Sequence, residues 1–120
     1  MDSHFFDNWT TQIRKGLLEF CVLSALSGER LYGYDIVRRL RQVEGLVISE
    51  GTIYPILSRL RRDGLVRTRL VESNEGPARK YYELTEAGRQ TLDRMNEMWR
   101  QILQGVQGLR SAEPERSGDR

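Results

Sequence analysis

Cysteine, histidine and long apolar runs are scarce in this chain, and each shortage removes a class of protein. Cys21 is the only cysteine, so no disulfide can close within the chain, which fits a reducing compartment. It stands in an apolar run, where a thiol reads first as a small buried hydrophobe and only second as a redox sensor. His4 is the only histidine, and the chain has neither a glycine-rich phosphate loop nor a spaced set of metal ligands. Catalysis, a metal and a cofactor are therefore not expected. No stretch reaches the roughly 18 apolar residues of a membrane span. Asp2 and Asp7 precede the first apolar run, the reverse of a signal-peptide charge pattern, so a cytoplasmic protein without membrane contact is expected.

What is present points to a small binding module. A chain of 120 residues supports one domain, and 38% apolar residues supply a modest core but no deep enzyme cleft. The net charge is only +2, yet it is unevenly spread. Residues 1–29 carry two basic and four acidic side chains, residues 30–80 eleven and six, and residues 81–120 six and seven. Positive charge concentrated in the middle favours a polyanion through phosphate contacts and counterion release. On charge alone, a solvated, salt-bridged surface remains the other reading.

The apolar spacing predicts three helices ahead of that basic centre's end. Over residues 10–26, Ile13, Leu17, Phe20 and Leu23 recur at helical steps, and Leu18, Cys21, Val22, Ala25 and Leu26 widen the stripe. Such a helix is buried on more than one side. Over 33–43, Ile36, Val37, Leu40 and Val43 form a stripe with Arg38, Arg39 and Arg41 off it, ending near Gly45. A third helix over 49–63 has Ser49 as N-cap, Gly64 as the left-handed residue beyond its end, and Ile53, Leu57 and Leu60 as its core side. Pro55 conflicts with that helix, which must either begin late, near Thr52, or loosen its first turn. In both cases the backbone N–H groups of residues 50–52 lie where a phosphate is favoured.

Residues 65–73 and 79–84 alternate with period two and flank residues 74–78, which predicts a β-hairpin with a loop of about five residues. A lone hairpin is marginal in water, so it must lean on the helices. Thr85 and Glu86 then open a last helix. Leu92, Met95, Trp99, Ile102, Val106 and Leu109 follow in steps of three and four, a heptad seam. At about 1.5 Å per residue it runs nearly 40 Å, longer than a domain this small can cover, so a second chain is the simplest partner. Packing against the first helix alone is the alternative. The expected fold is mainly α with a small β-hairpin: an arm at 1–9, a winged helix-turn-helix at 10–84, a dimerisation helix at 85–110 and a frayed tail at 111–120.

Three blocks of this pattern, LYGYDIVRRL at 31–40, GTIYPILSRLRRDGLV at 51–66 and GPARKYYELTEAGR at 76–89, resemble the signature blocks of the PadR family of bacterial transcriptional regulators. Their order and separation match as well, over about residues 12–104. The single C-terminal helix is similar to the short subfamily. The resemblance implies a winged helix-turn-helix homodimer that represses promoters and releases double-stranded DNA when a small aromatic effector binds. It also implies a bacterial cytoplasmic protein, on the nucleoid when bound to DNA.

Residue roles follow from how a helix-turn-helix docks, with the N-terminal part of its second helix in the major groove. That part offers Ser49, Gly51, Thr52, Tyr54 and Pro55, with Ser58, Arg59 and Arg62 further along. Gly51 permits close backbone approach, Thr52 can bond a phosphate or base edge, and Arg59 is the first candidate for a guanine or a second phosphate. Tyr54 is equally a core residue with its hydroxyl at the rim. Tyr32 and Tyr34 are either rings wedged between helices or hydroxyls on the DNA backbone. Arg79 and Lys80 at the wing base, with Asn74 and Gly76 at its tip, are phosphate candidates, whereas Arg61 covers the outer helix face. By the resemblance, Trp99 would approach the dimer axis and face a flat ligand, with Met95, Met98 and Ile102 as adaptable walls; core packing is the plainer reading. Phe5, Phe6 and Trp9 would close such a pocket from the arm. A winged-helix module that binds protein, its basic face incidental, is the other reading of the whole.

Overall fold

Four helices and a three-stranded antiparallel sheet follow one another as α1 (Ser3–Ala25), β1 (Leu31–Tyr32), α2 (Gly33–Arg41), α3 (Glu50–Arg62), β2 (Val66–Ser73), β3 (Gly76–Leu84) and α4 (Glu86–Ser111). This computed structural model describes residues 3–111. The expected tail lies outside the described residues except for Ser111, which ends α4. The architecture is a winged helix-turn-helix with a long C-terminal helix.

Residues 3–9 of the expected arm are instead the beginning of α1, helical from Ser3, and residues 1 and 2 lie outside the described residues. Nothing between residues 3 and 15 breaks a helix, and Phe6, Trp9 and Ile13 continue the three- and four-residue steps that reach Leu17 and Phe20. Only the C-terminal part of α1 enters the core, through Val22 and Leu23, with Leu26 just beyond the helix end. α2 stops at Arg41 and leaves Val43 exposed outside it, while Ile36, Val37 and Leu40 are buried as expected.

α3 begins at Glu50, with Ser49 Oγ accepting a bond from Thr52 N at 3.3 Å. It neither starts late nor unwinds around Pro55, which stands inside the helix. Because proline has no N–H, the Gly51 carbonyl simply forgoes the usual bond four residues on. At the other end Gly64 has φ +80; its N–H bonds Arg61 O at 3.0 Å and Leu65 N–H bonds Leu60 O at 3.0 Å. That pair of bonds closes the helix as a Schellman motif, which a left-handed glycine permits.

β3 is the central strand, with order β1-β3-β2. The two residues of β1 pair Leu31 with Tyr82 and Tyr32 with Tyr81, a strand too short to leave a period in the sequence. The hairpin turns over two residues, Asn74 and Glu75, rather than about five. Ser73 pairs with Gly76, and Ser73 Oγ accepts from Glu75 N at 3.2 Å. A register irregularity between Val71 and Ser73 lies opposite Pro77, where a missing N–H costs the ladder least.

Thr85 ties the start of α4 to the end of α3. Its Oγ1 accepts from Gly88 N at 3.0 Å and donates to Gly64 O at 2.6 Å, and its N–H bonds Leu65 O at 3.1 Å. Gly88 packs so closely there that a Cβ would stand 2.0 Å from the Leu65 carbonyl oxygen. The core lies between the end of α1, α2, α3 and the inner face of the sheet, and it takes in Leu92 of α4. Beyond Leu92, α4 leaves the core, and the molecule reaches 72 Å along its longest axis against 34 and 22 Å across.

Candidate nucleic-acid interface

α3 divides into two faces. Ile53, Ile56, Leu57 and Leu60 are buried, which anchors the helix across about two turns. Gly51, Pro55, Ser58 and Arg62, spaced four, three and four, form the exposed ridge directly opposite. Ser49 and Thr52 cap the helix start, with their hydroxyl oxygens 3.0 Å apart.

Tyr54 and Arg59 flank that ridge on opposite sides. The Tyr54 ring lies across Gly33, where a Cβ would come within 3.1 Å of Cε1 and 3.2 Å of the hydroxyl. Burial first, and the Glu50 carboxylate second, push its hydroxyl pKa up, so it stays a neutral donor at the edge of the core. Of its two readings, the rim of the core is the one this packing supports. Arg59 is turned toward α1, where its Nε reaches Glu19 Oε2 at 3.0 Å and its second nitrogen bonds the same oxygen. The first candidate for a guanine contact is thus held by a carboxylate 40 positions away in sequence. Tyr34, on the first turn of α2, is exposed.

The wing carries its cations on two faces. On the outer face Arg67 Nε and Arg69 Nη2 share Glu83 Oε2 at 2.6 and 3.0 Å. The Arg67 bond first, and the Arg69 bond second, hold the Glu83 carboxyl below the usual carboxylate range. Arg79 lies 4.7 Å over the Tyr32 ring, Arg30 lies 5.3 Å over the Tyr81 ring, and the two rings are 5.8 Å apart. These stacks orient Arg79 while leaving its edge in water. Lys80 stands on the other face opposite Leu70, and Asn74 and Gly76 are exposed at the tip. Among the described residues neither Lys80 nor Arg62 forms an ion pair. A shallow hollow of about 270 Å³ runs along the wing, with Tyr32, Arg79 and Lys80 in its wall.

Between α1 and α4 lies an apolar groove of about 430 Å³, lined by Met95, Met98, Trp99 and Ile102 together with Gly16, Leu17 and Phe20. The four α4 residues are those expected around a ligand, and the structure brings them together. Phe6 and Trp9 do not reach the groove. They stack on each other, ring centroids 6.1 Å apart, exposed toward the N-terminal end of α1 along with Phe5. The α1 wall agrees with the alternative of packing α4 on the first helix, over the groove's length; periodicity shows the face of Leu17 and Phe20 but not that it lines a groove. Cys21 is half-buried and burial pushes its thiol pKa up, the environment of a small hydrophobe.

The seam also divides. Leu92 is only 5% exposed and belongs to the domain's own core, so it is not on the outward seam. Met95 is half-buried against that core. Trp99, Ile102, Val106 and Leu109 are exposed, with Met98 and Leu103 beside them. Among the described residues no helix is long and apolar enough to cross a membrane, and no cluster of potential metal ligands is found.

Residues 22–94 match the profile of the Transcriptional regulator PadR-like family. The chain is 32% identical to a transcriptional regulator of Mycobacterium tuberculosis over 100 residues, covering 78% of this chain and 90% of that protein. It is similar to the crystal structure of a PadR-like transcription factor from Bacteroides fragilis, with 39% identity, a TM-score of 0.71, and coverage of 85% of this chain and 98% of that one. It is also similar to Bacillus subtilis PadR, solved in complex with operator DNA, at 30% identity and a TM-score of 0.58, over 66% of this chain and 46% of that one.

Proposed function

Because this chain belongs to the PadR-like family of transcriptional regulators, and is thus a DNA-binding regulator rather than an enzyme, we propose that it works as a homodimeric, ligand-responsive repressor of a pseudo-palindromic operator. The observation that carries the proposal is the unpartnered apolar surface of the two long helices. Trp99, Ile102, Val106 and Leu109 on α4 and Phe6, Trp9 and Ile13 on α1 are all exposed, and a monomer rarely leaves so much large apolar surface in water. A second copy laid along both helices would cover it.

In such a dimer each protomer offers one α3 to a major groove, led by the ridge of Gly51, Pro55, Ser58 and Arg62, with Ser49 and Thr52 at the helix start beside a phosphate. Arg79 and Lys80 of the wing bond flanking phosphates, which fixes register without reading sequence. Operator DNA in the B. subtilis neighbour supports DNA binding by this fold. A flat aromatic effector enters at Trp99 between Met95, Met98 and Ile102, where it alters the distance between the two α3 helices. This reading puts the protein in the bacterial cytoplasm, on the nucleoid when bound.

The direct test joins two measurements. Light scattering after gel filtration should give twice the 14.0 kDa of one chain, and a mobility shift should appear with the DNA upstream of its own gene. A monomer that shifts no duplex would contradict the reading.

A further inference from the structure

The Arg59 pair with Glu19 joins the middle of α3 to α1 across 40 residues of sequence. Both side chains are somewhat less than half exposed, and both Arg59 nitrogens converge on a single carboxylate oxygen. Five residues earlier on α1, Arg14 Nε bonds the carbonyl of Gly45 in the turn before α3. Val22 and Leu23 of α1 share the buried apolar core with Ile53 and Leu57 of α3, and apolar burial has no direction. It holds α3 against the core and sets its rotation only coarsely, to within the width of the buried stripe. A charged, two-pronged hydrogen bond has a direction and does fix it.

We propose that Glu19 and Arg59 are a positioning pair, which sets the angle of α3 against α1 so that Arg59 serves DNA recognition without touching DNA. The proposal rests on the DNA-binding reading above and deepens it. Glu19 is followed by Phe20, whose ring meets Trp99 at 6.2 Å. The same turn of α1 therefore holds the recognition helix on one side and walls the groove on the other. A molecule that displaces Phe20 shifts Glu19, and with it α3.

The test uses the full chain and a duplex that the wild-type protein selects from a random-sequence library. Glu19→Gln and Arg59→Gln should each weaken binding about five-fold, the strength of a good partly exposed pair. The double variant should bind no worse than either single one, and exchange of the charges in Glu19→Arg/Arg59→Glu should recover most of the loss. The slope of log affinity against log salt should stay at the wild-type value throughout, because no phosphate contact is lost. A slope lowered by about one unit in Arg59→Gln would make Arg59 a phosphate contact and overturn the proposal. Wild-type affinity in Glu19→Gln would overturn it as well. A wild-type chain that selects no duplex would sink the DNA-binding reading instead. Hydrogen exchange then still decides the pair: faster exchange of α3 amides in Glu19→Gln supports it, and unchanged exchange refutes it.

Discussion

Phe20 of α1 and Trp99 of α4 meet with ring centroids 6.2 Å apart and planes inclined by 51°, leaving both rings tilted over the groove rather than closed upon each other. Tilted rings with one face open can part and admit a flat molecule between them or beside them. With Trp9→Phe, Trp99 becomes the only tryptophan of the chain, which has two. Its emission should then be quenched by a planar aromatic probe such as acridine orange. In Trp99→Ala, the emission of Trp9 should not respond to the same probe. Equal quenching of both variants would place the probe elsewhere.

Leu92 and Val106 are two heptads apart yet face different surroundings. Leu92→Ala removes a side chain from the domain core, so it should lower unfolding free energy by about 3 kcal/mol and leave the mass in solution unchanged. Val106→Asp puts a charge on an exposed stripe, so it should leave one chain folded and abolish the dimer. Urea denaturation and light scattering separate the two effects.

Gly88 has no room for a methyl group, because its Cβ would stand 2.0 Å from the Leu65 carbonyl oxygen. Backbone cannot swing aside as a side chain does. Gly88→Ala should therefore cost about 3 kcal/mol, at the upper end of overpacking effects, although alanine is the better helix former. Stability within about 0.5 kcal/mol of wild type, the range of ordinary surface changes, would show that α4 can shift away from the end of α3.

Lys80 stands on the wing without an ion pair among the described residues. Lys80→Ala should weaken binding to specific and unrelated duplexes by a similar factor and flatten the salt dependence by about one unit. An unchanged salt slope would remove Lys80 from the phosphate contacts.

Much of this arrangement is legible in the sequence wherever the signal is local. Ser49, Gly64 and Thr85 mark helix ends by the chemistry of their own side chains or lack of one, and all three do so in the structure. What escapes is what depends on partners far along the chain. β1 is two residues long and exists only because β3 offers Tyr81 and Tyr82 to pair with. Leu92 fits the heptad as well as Trp99 does, and only the depth of the core separates them. Arg59 has the composition and place of a base-reading arginine, and nothing near it in sequence reveals that Glu19 holds it. Phe6 and Trp9 keep the helical period of α1, and their aromatic character alone suggests a pocket that they do not line.

If two copies of this chain present two recognition helices at a fixed separation, the bound DNA carries two matching footprints. Hydroxyl-radical footprinting of the bound duplex tests it most directly. Two protected half-sites related by a dyad are expected, with centres about 34 Å apart or a multiple of that. A single asymmetric half-site, protected with the same affinity by wild type and by Val106→Asp, would contradict it.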